Sequence, residues 1–111
     1  MSVVEYLRYV VDAERAAEFE TAYARAGAVL TRAPECLDWE LARRTDAGTG
    51  AGEDPDPAGT VRYVLRIRWT SASEHLQGFR QGPLFREFFA AIRPYLPDVA
   101  EMRHYEVALG G

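Results

Sequence analysis

Apolar and polar residues alternate in four segments of the chain. Residues 3–11 combine β-branched and aromatic side chains, and residues 37–42 alternate from one position to the next. The clearest alternation runs through residues 61–69, and a fourth occupies residues 102–109. A period of two is typical of a strand that is buried on one face, so the four segments predict strands. In the last three strands the apolar positions are Leu37, Trp39, Leu41, Val61, Tyr63, Leu65, Ile67, Trp69, Tyr105, Val107 and Leu109.

Three further segments have the apolar spacing of helices. Asp12 is placed to cap the first helix, and Pro34 ends it. The run Ser71-Ala72-Ser73-Glu74 is a capping box, which predicts that a second helix begins directly after the third strand. Gly82-Pro83 ends that helix and opens a third. The predicted buried positions are Phe19, Tyr23, Ala26 and Leu30 in the first helix, Leu76 and Phe79 in the second, and Leu84, Phe85, Phe88, Phe89 and Ile92 in the third.

The order of elements is β-α-β-β-α-α-β, which is the split βαβ pattern of a ferredoxin-like α+β sandwich. It predicts one domain over residues 1–111, in which helices cover one face of a four-stranded antiparallel sheet. Residues 46–59 are mostly Gly, Pro, Asp and Ala, so we expect a mobile loop there. The fragment 48–52 imitates a phosphate-binding turn, but acids and prolines follow it instead of a helix.

The sheet face opposite the helices is predicted to be charged. Residues of both signs alternate with the apolar positions, so this face can be solvated. Two such faces can equally meet in a homodimer, with arginine opposite carboxylate. The residues expected there are Asp38, Glu40, Arg62, Arg66, Arg68, His104 and Glu106.

Composition excludes several functions. All 13 basic residues of the 111 are arginine, so Schiff-base and P-loop lysine chemistry are absent. Cys36 is the single cysteine, and its acidic neighbours Glu35 and Asp38 disfavour a reactive thiolate. The net charge of −4 disfavours nucleic acid as a partner. No apolar run approaches membrane-span length, and Glu5 and Arg8 interrupt the apolar start, so we expect a cytoplasmic protein.

No metal or hydrolase motif is present in the sequence. The two histidines, His75 and His104, lie 29 positions apart, which is not the spacing of a metal motif. There is no G-x-S-x-G nucleophile elbow. We therefore expect no metal ligands.

Four segments together resemble a known family. They are Ala33–Leu41, Tyr63–Ser71, Gly82-Pro83-Leu84-Phe85 and Met102–Val107. They are similar to elements of the antibiotic biosynthesis monooxygenase family. The first segment resembles its second strand, the next two resemble its third strand and helix pair, and the last resembles its last strand. The resemblance covers nearly the whole chain except the 46–59 loop. It implies a homodimeric α+β barrel with one pocket per subunit between sheet and helices.

The resemblance implies two possible activities, since some members oxidise aromatic phenols with O2 alone and others bind and cleave haem, while further members have no assigned activity. The haem-cleaving branch uses an Asn, a Trp and a His, at positions occupied here by Leu7, Phe79 and Phe88. Haem cleavage is therefore disfavoured, although haem binding through another ligand stays open. For the quinone-forming branch, Trp69 matches a Trp at the end of the third strand, whereas Leu65 stands where an Asn is expected.

The functional prediction is a cofactor-independent monooxygenase that oxidises an aromatic, polyketide-like phenol or anthrone. His75, beside Leu76 and Phe79 on the edge of an apolar stripe, is the candidate general base, and Trp69 is the second candidate catalytic residue. A cyclase on the same scaffold, or a non-catalytic protein that binds haem or a hydrophobic metabolite, are the alternatives. The alternative for His75 is a boundary histidine without a catalytic role, and the alternative for the aromatic residues is ordinary core packing. The predicted substrate-binding residues are Tyr9, Trp39, Tyr63, Phe79, Arg86 and Phe88.

Overall fold

The computed structural model describes residues 1–46 and 55–110. The centre of the predicted 46–59 loop, with the Gly-rich 48–52 fragment, lies outside the described residues, as does the side chain of Leu76. The elements are β1 (Val3–Asp12), a 3-10 turn (Ala13–Arg15), α1 (Ala16–Arg32), β2 (Cys36–Arg43), β3 (Thr60–Trp69), a π-helical segment (Glu74–Phe79), α2 (Phe85–Ile92), a 3-10 segment (Arg93–Asp98) and β4 (Val99–Glu106).

The four strands form one antiparallel sheet in the order β2-β3-β1-β4, with the helices on one face. This confirms the predicted ferredoxin-like α+β fold. In the register of β1 with β3, Glu5 lies opposite Ile67 and Leu7 opposite Leu65, on the helix-facing side. That pairing brings the first residues of β1 beside the end of β3, where the site described below is built.

The core fills the space between this sheet face and the helices. It is dominated by aromatic side chains, which supply much buried area per residue. Phe19 of α1 contacts Tyr9, Tyr63 and Tyr95, with ring centroids 5.1 Å apart or less. The alternation of β3 and the stripe of α1 are thus confirmed. The largest fully buried side chains are Trp69, Tyr9, Tyr23, Tyr63, Phe19, Leu30, Leu65, Ile67 and Val11.

The prediction for β2 is wrong at its first apolar position. Leu37 is 50% exposed, whereas Trp39 and Leu41 pack against the core as expected. Cys36 pairs with Trp69 and Asp38 with the preceding residue of β3, so one residue of β2 has no partner. This bulge resets the alternation, and the extra residue, Leu37, leaves the buried face.

The phase predicted for the last strand is also wrong. β4 ends at Glu106, so Val107 and Leu109 lie beyond it, and Tyr105 is 54% exposed on the open face. There its ring packs edge-on against Tyr6 at 6.4 Å. His104 is paired with Glu5, on the helix-facing side. Glu106, two residues further along β4, shares that side, so neither residue belongs to the charged face.

Three predictions about the helices need correction. Asp12 makes no side-chain capping hydrogen bond, because a 3-10 turn precedes α1. The capping box does operate, since the Glu74 backbone N–H donates to Ser71 Oγ at 3.0 Å, but the segment it opens is π-helical. The third helix begins at Phe85, after a turn that contains Gly82 and Pro83. No helix among the described residues is long and apolar enough to cross a bilayer.

The open face of the sheet carries the charges predicted for β2 and β3, and these pair within the chain. Arg68 donates to Asp38 at 2.8 Å and Arg66 to Glu40 at 2.7 Å, both across the β2–β3 pair. Each cation thus lies beside a carboxylate on the neighbouring strand, so the face is close to neutral without a partner.

Candidate active site

A cavity of about 120 Å³ lies between the sheet, the π-helical segment and α2. An apolar cavity of roughly 150 Å³ holds one benzene ring, so this space has about the room of a single aromatic ring. Most of its walls are aromatic or aliphatic, and its polar groups are few. The lining residues are Glu5, Leu7, Tyr23, Leu65, Ile67, Trp69, His75, Phe79, Arg80, Phe85, Phe88, Phe89, Ile92, Leu96 and Met102.

The aromatic wall is built where β3 ends and the next helix begins. Trp69 is the last residue of β3 and is 1% exposed. The short turn to the π-helical segment stacks His75 on its indole, with ring centroids 4.5 Å apart, and Phe79 on the same ring at 4.9 Å. The π-helical hydrogen bond from Arg80 N–H to the His75 carbonyl fixes this turn. Such single-turn π-helices occur frequently at functional sites.

Three polar side chains meet at one end of the cavity. Glu5 is 7% exposed, and its Oε1 accepts a hydrogen bond from Trp69 Nε1 at 3.1 Å. Its other oxygen, Oε2, lies 3.7 Å from His75 Nε2 and 3.8 Å from His104 Nε2. His75 is 3% exposed, and neither ring nitrogen has a hydrogen-bond partner among the described residues. His104 lies on the solvent side of the group.

Burial dominates the electrostatics of this cluster. It raises the pKa of Glu5, while the hydrogen bond from Trp69 and the charges of His104 and Arg80 oppose the rise. Burial lowers the pKa of His75 to about 4, and the charges of His104 and Arg80 act in the same direction. The imidazole of His75 is therefore neutral near pH 7 and has a bare nitrogen that can accept a proton.

The structure brings together four of the predicted site residues. His75, Trp69, Phe79 and Phe88 all line the cavity. The ring centroids of Phe79 and Phe88 lie 5.4 Å apart, in an edge-to-face arrangement. The candidate base, the tryptophan and two of the predicted binding residues thus line one cavity.

The other four predicted site residues do not line the cavity. Tyr9 is buried below it, and its hydroxyl forms a hydrogen bond with the Tyr23 hydroxyl; burial raises its pKa to about 12. Trp39 packs over α1, and its Nε1 donates to Thr31 Oγ1 at 3.1 Å. Tyr63 lines, together with Trp39, a separate groove between α1 and the strands β2 and β3. Its hydroxyl donates to Glu20 Oε2 at 2.5 Å.

The fourth, Arg86, is exposed on the outer side of α2. The cation at the cavity is instead Arg80, which lies 5.9 Å from the Phe85 ring centroid. Cys36 behaves as expected, because burial raises the pKa of its thiol to about 11 and the acids Asp38 and Glu35 add to the rise.

Sequence reasoning missed two of the three polar groups at the cavity end. In the sequence, Glu5 is a charged residue within an apolar strand, two positions before Leu7. This spacing places Glu5 on the same strand face as Leu7, which is the signal that it faces the core. His104 was placed on the wrong face by the phase of Tyr105. The sequence offered no signal that the two would pair across β1 and β4.

The cavity does not fit haem. The macrocycle carries four pyrrole rings, whereas the space between Trp69, Phe79 and Phe88 has room for about one ring. The haem-binding alternative therefore has no support in the geometry of this pocket.

Comparisons with known proteins agree with this architecture. A sequence profile of the family described as antibiotic biosynthesis monooxygenase matches residues 2–91. No curated protein sequence matches the chain. Among solved structures, a candidate antibiotic biosynthesis monooxygenase from Bordetella bronchiseptica is 26% identical, with 97% of this chain and 98% of that chain covered and a TM-score of 0.67.

Two other solved structures share the fold. SnoaB from Streptomyces nogalater, a cofactor-independent oxygenase, is 22% identical, with coverages of 99% and 95% and a TM-score of 0.59. HapK from Hahella chejuensis is 17% identical, with coverages of 100% and 96% and a TM-score of 0.70. The likeness therefore extends over the whole length of each chain.

Proposed function

The chain belongs to the antibiotic biosynthesis monooxygenase family, and on that basis we propose that it is a cofactor-independent oxygenase acting on an aromatic phenol or anthrone. The observation that carries the proposal is the buried Glu5–His75 pair at the end of an aromatic cavity. The similarity to SnoaB, itself a cofactor-independent oxygenase, supports it at the level of the fold.

The cavity sets which part of a substrate reacts. One aromatic ring fits between Trp69 and the phenylalanines, in stacking range of the indole. Leu96 and Met102, each 39% exposed, lie at the edge of the cavity and offer apolar surface to the remaining rings. A polycyclic substrate would therefore insert its reacting ring and leave the rest at the mouth.

The chemistry needs one proton acceptor and an excluded solvent. We assign His75 to accept the proton of the phenol or anthrone, with the Glu5 carboxylate 3.7 Å away to stabilise the imidazolium that forms. The resulting carbanion transfers an electron to O2, and the radical pair combines to a peroxide. Loss of water then leaves a carbonyl, so that a CH2 group and O2 become C=O and H2O. Arg80 is placed to pair with the substrate oxyanion.

We further propose that the protein acts as a homodimer through the open face of the sheet. Tyr6 and Tyr105 form an apolar patch there. Beside it lie ion pairs in which each arginine is neutralised by a carboxylate of the same chain. A second copy of the same face is complementary to it, because neither copy presents an excess of one charge. Pairing would also give this 111-residue chain more core.

The test of the oxygenase proposal is O2 consumption by metal-free protein with an anthrone as substrate. His75→Phe fills the same volume beside Trp69 and should lower turnover by about 100-fold, the usual contribution of a positioned base. Phe89→Leu, which changes an apolar wall of the same cavity without removing a polar group, is the matched control and should lose less than about 10-fold.

Three other outcomes would each change the assignment of a residue or of the function. Full activity of His75→Phe would remove the histidine from the mechanism. Turnover that persists without O2 would identify the cyclase alternative. Absence of turnover, together with a Soret band on haem titration, would favour the binding-protein alternative and contradict the oxygenase proposal.

A further inference from the structure

We propose that Glu5, His75 and His104 form a binding site for a divalent transition-metal ion of the zinc or iron(II) class. One ligand atom of each residue lies within 4.8 Å of the other two. The three residues come from β1, the π-helical segment and β4, and no sequence motif joins them. The inference does not depend on the proposed oxygenase activity.

The distances are close to those of a metal site. Zinc binds imidazole nitrogen at about 2.0–2.1 Å and carboxylate oxygen at about 2.0–2.2 Å, so ligand atoms in a tetrahedral site lie about 3.3 Å apart. Glu5 Oε2 is 3.7 Å from His75 Nε2 and 3.8 Å from His104 Nε2. The imidazole nitrogens of His75 and His104 lie within 4.8 Å of each other. Rotation of the half-exposed His104 side chain would shorten that separation, and the two distances to Glu5 need only a few tenths of an ångström.

The unpaired ring nitrogens of His75 are a second, independent observation that points to a ligand. The ring is 3% exposed, yet neither nitrogen has a hydrogen-bond partner among the described residues. A buried polar group without a partner is costly, and such groups in native structures call for an explanation. A metal ion beside Nε2 would satisfy the nitrogen that faces Glu5.

A supporting shell is already in place for the carboxylate. Trp69 Nε1 donates to Glu5 Oε1 at 3.1 Å, which leaves Oε2 directed toward both imidazoles. Metal-binding carboxylates are typically held by such a second hydrogen bond. Trp69 is itself buried against Phe79, so the carboxylate is held by a rigid group.

Two imidazoles and one carboxylate select the type of ion. Imidazole suits zinc, copper, iron and nickel, and the set of two histidines and one carboxylate occurs in catalytic zinc sites and in non-haem iron(II) sites. In both, the remaining coordination positions are open. Here Glu5 and His75 line the cavity, so an oxygen atom of a bound small molecule could occupy an open position.

The experiment is calorimetric titration of Zn²⁺ into untagged, chelator-treated full-length protein, followed by the visible absorption spectrum of the Co²⁺ form. We expect one ion per chain and a Co²⁺ spectrum of low coordination number. His104→Gln removes a half-exposed ligand without disturbing the core and should weaken binding by at least about 100-fold. Trp69→Phe, which removes the supporting hydrogen bond and part of the ring that packs against His75 and Phe79, should weaken it by about 10–100-fold.

Glu101→Gln is the matched control, because its carboxylate pairs with Arg8 on the open face and should leave the affinity unchanged. Absence of Zn²⁺ binding by the parent protein, or equal binding by His104→Gln, would overturn the proposal. Because both readouts are binding measurements, they are independent of turnover. If the oxygenase proposal is also correct, Zn²⁺ should inhibit O2 consumption by occupying His75, and chelator should restore it.

Discussion

Replacing Glu5 by glutamine should stabilise the metal-free protein while it removes function. The carboxylate is 7% exposed and sits among Leu7, Ile67 and Trp69. The amide oxygen of glutamine can still accept the hydrogen bond from Trp69 Nε1, which is 3.1 Å from Glu5 Oε1. The substitution therefore removes a buried charge and retains the packing and the acceptor.

The magnitude follows from what opposes that charge. The His75 imidazole is uncharged near neutral pH, because burial lowers its pKa to about 4, so it offers the Glu5 carboxylate no countercharge. His104 and Arg80 do attract the carboxylate, but both side chains are exposed and water screens the attraction. Replacing buried charges by neutral groups of similar volume gains up to roughly 1–4 kcal/mol. Because the Trp69 hydrogen bond becomes a weaker, neutral one, we expect a gain of about 1 kcal/mol.

The assay is urea denaturation at neutral pH in the presence of chelator, with Glu101→Gln as the control. That control breaks a 3.4 Å pair with Arg8 at the sheet surface, and its stability should change by less than about 0.5 kcal/mol. A loss of more than about 1 kcal/mol in Glu5→Gln would show that the carboxylate anchors the fold. The interpretation of Glu5 as a group retained for function at the expense of stability would then be wrong.

Two further predictions concern the fold and the assembly. Gly27→Ala should destabilise the protein by about 1–2 kcal/mol, because a Cβ there would overlap the Trp39 indole and this overpacking outweighs the gain in helix propensity; urea denaturation should show the loss, and Trp39→Phe should relieve it. Light scattering at micromolar concentration should give the mass of a dimer, and Tyr105→Arg, which adds an unpaired charge to the Tyr6–Tyr105 patch, should shift it toward monomer. A parent protein that is monomeric there would contradict the dimer.

The sequence predicted the fold wherever one face of an element is fully buried. Tyr63, Leu65, Ile67 and Trp69 are all 2% exposed or less, and their strict alternation identified β3 and its buried face. In the edge strands, β2 and β4, the sequence did not correctly predict every residue that faces the core. In β2 a bulge after Cys36 shifts the alternation, and in β4 most residues of both faces are exposed, so hydrophobicity carries little information about orientation.

The candidate site was only half predictable for a related reason. Trp69, His75 and Phe79 lie within one strand–turn–helix unit, so local periodicity was enough to place them together. Glu5 and His104 meet through the antiparallel register of β1 with β4, which no local pattern encodes. Spacing along the chain cannot predict the Glu5–His75–His104 cluster, because strand pairing brings Glu5 and His104 together.

Oxidation of an anthrone by chelator-treated protein under isotopically labelled O2 decides whether His75 and Glu5 are the catalytic pair of an oxygenase. We expect that the new carbonyl oxygen of the quinone carries the label, that one O2 is consumed for each product, and that His75→Phe lowers the rate of labelled product by about 100-fold. Product oxygen that comes from water, or labelled product formed equally fast by His75→Phe, would show that they are not.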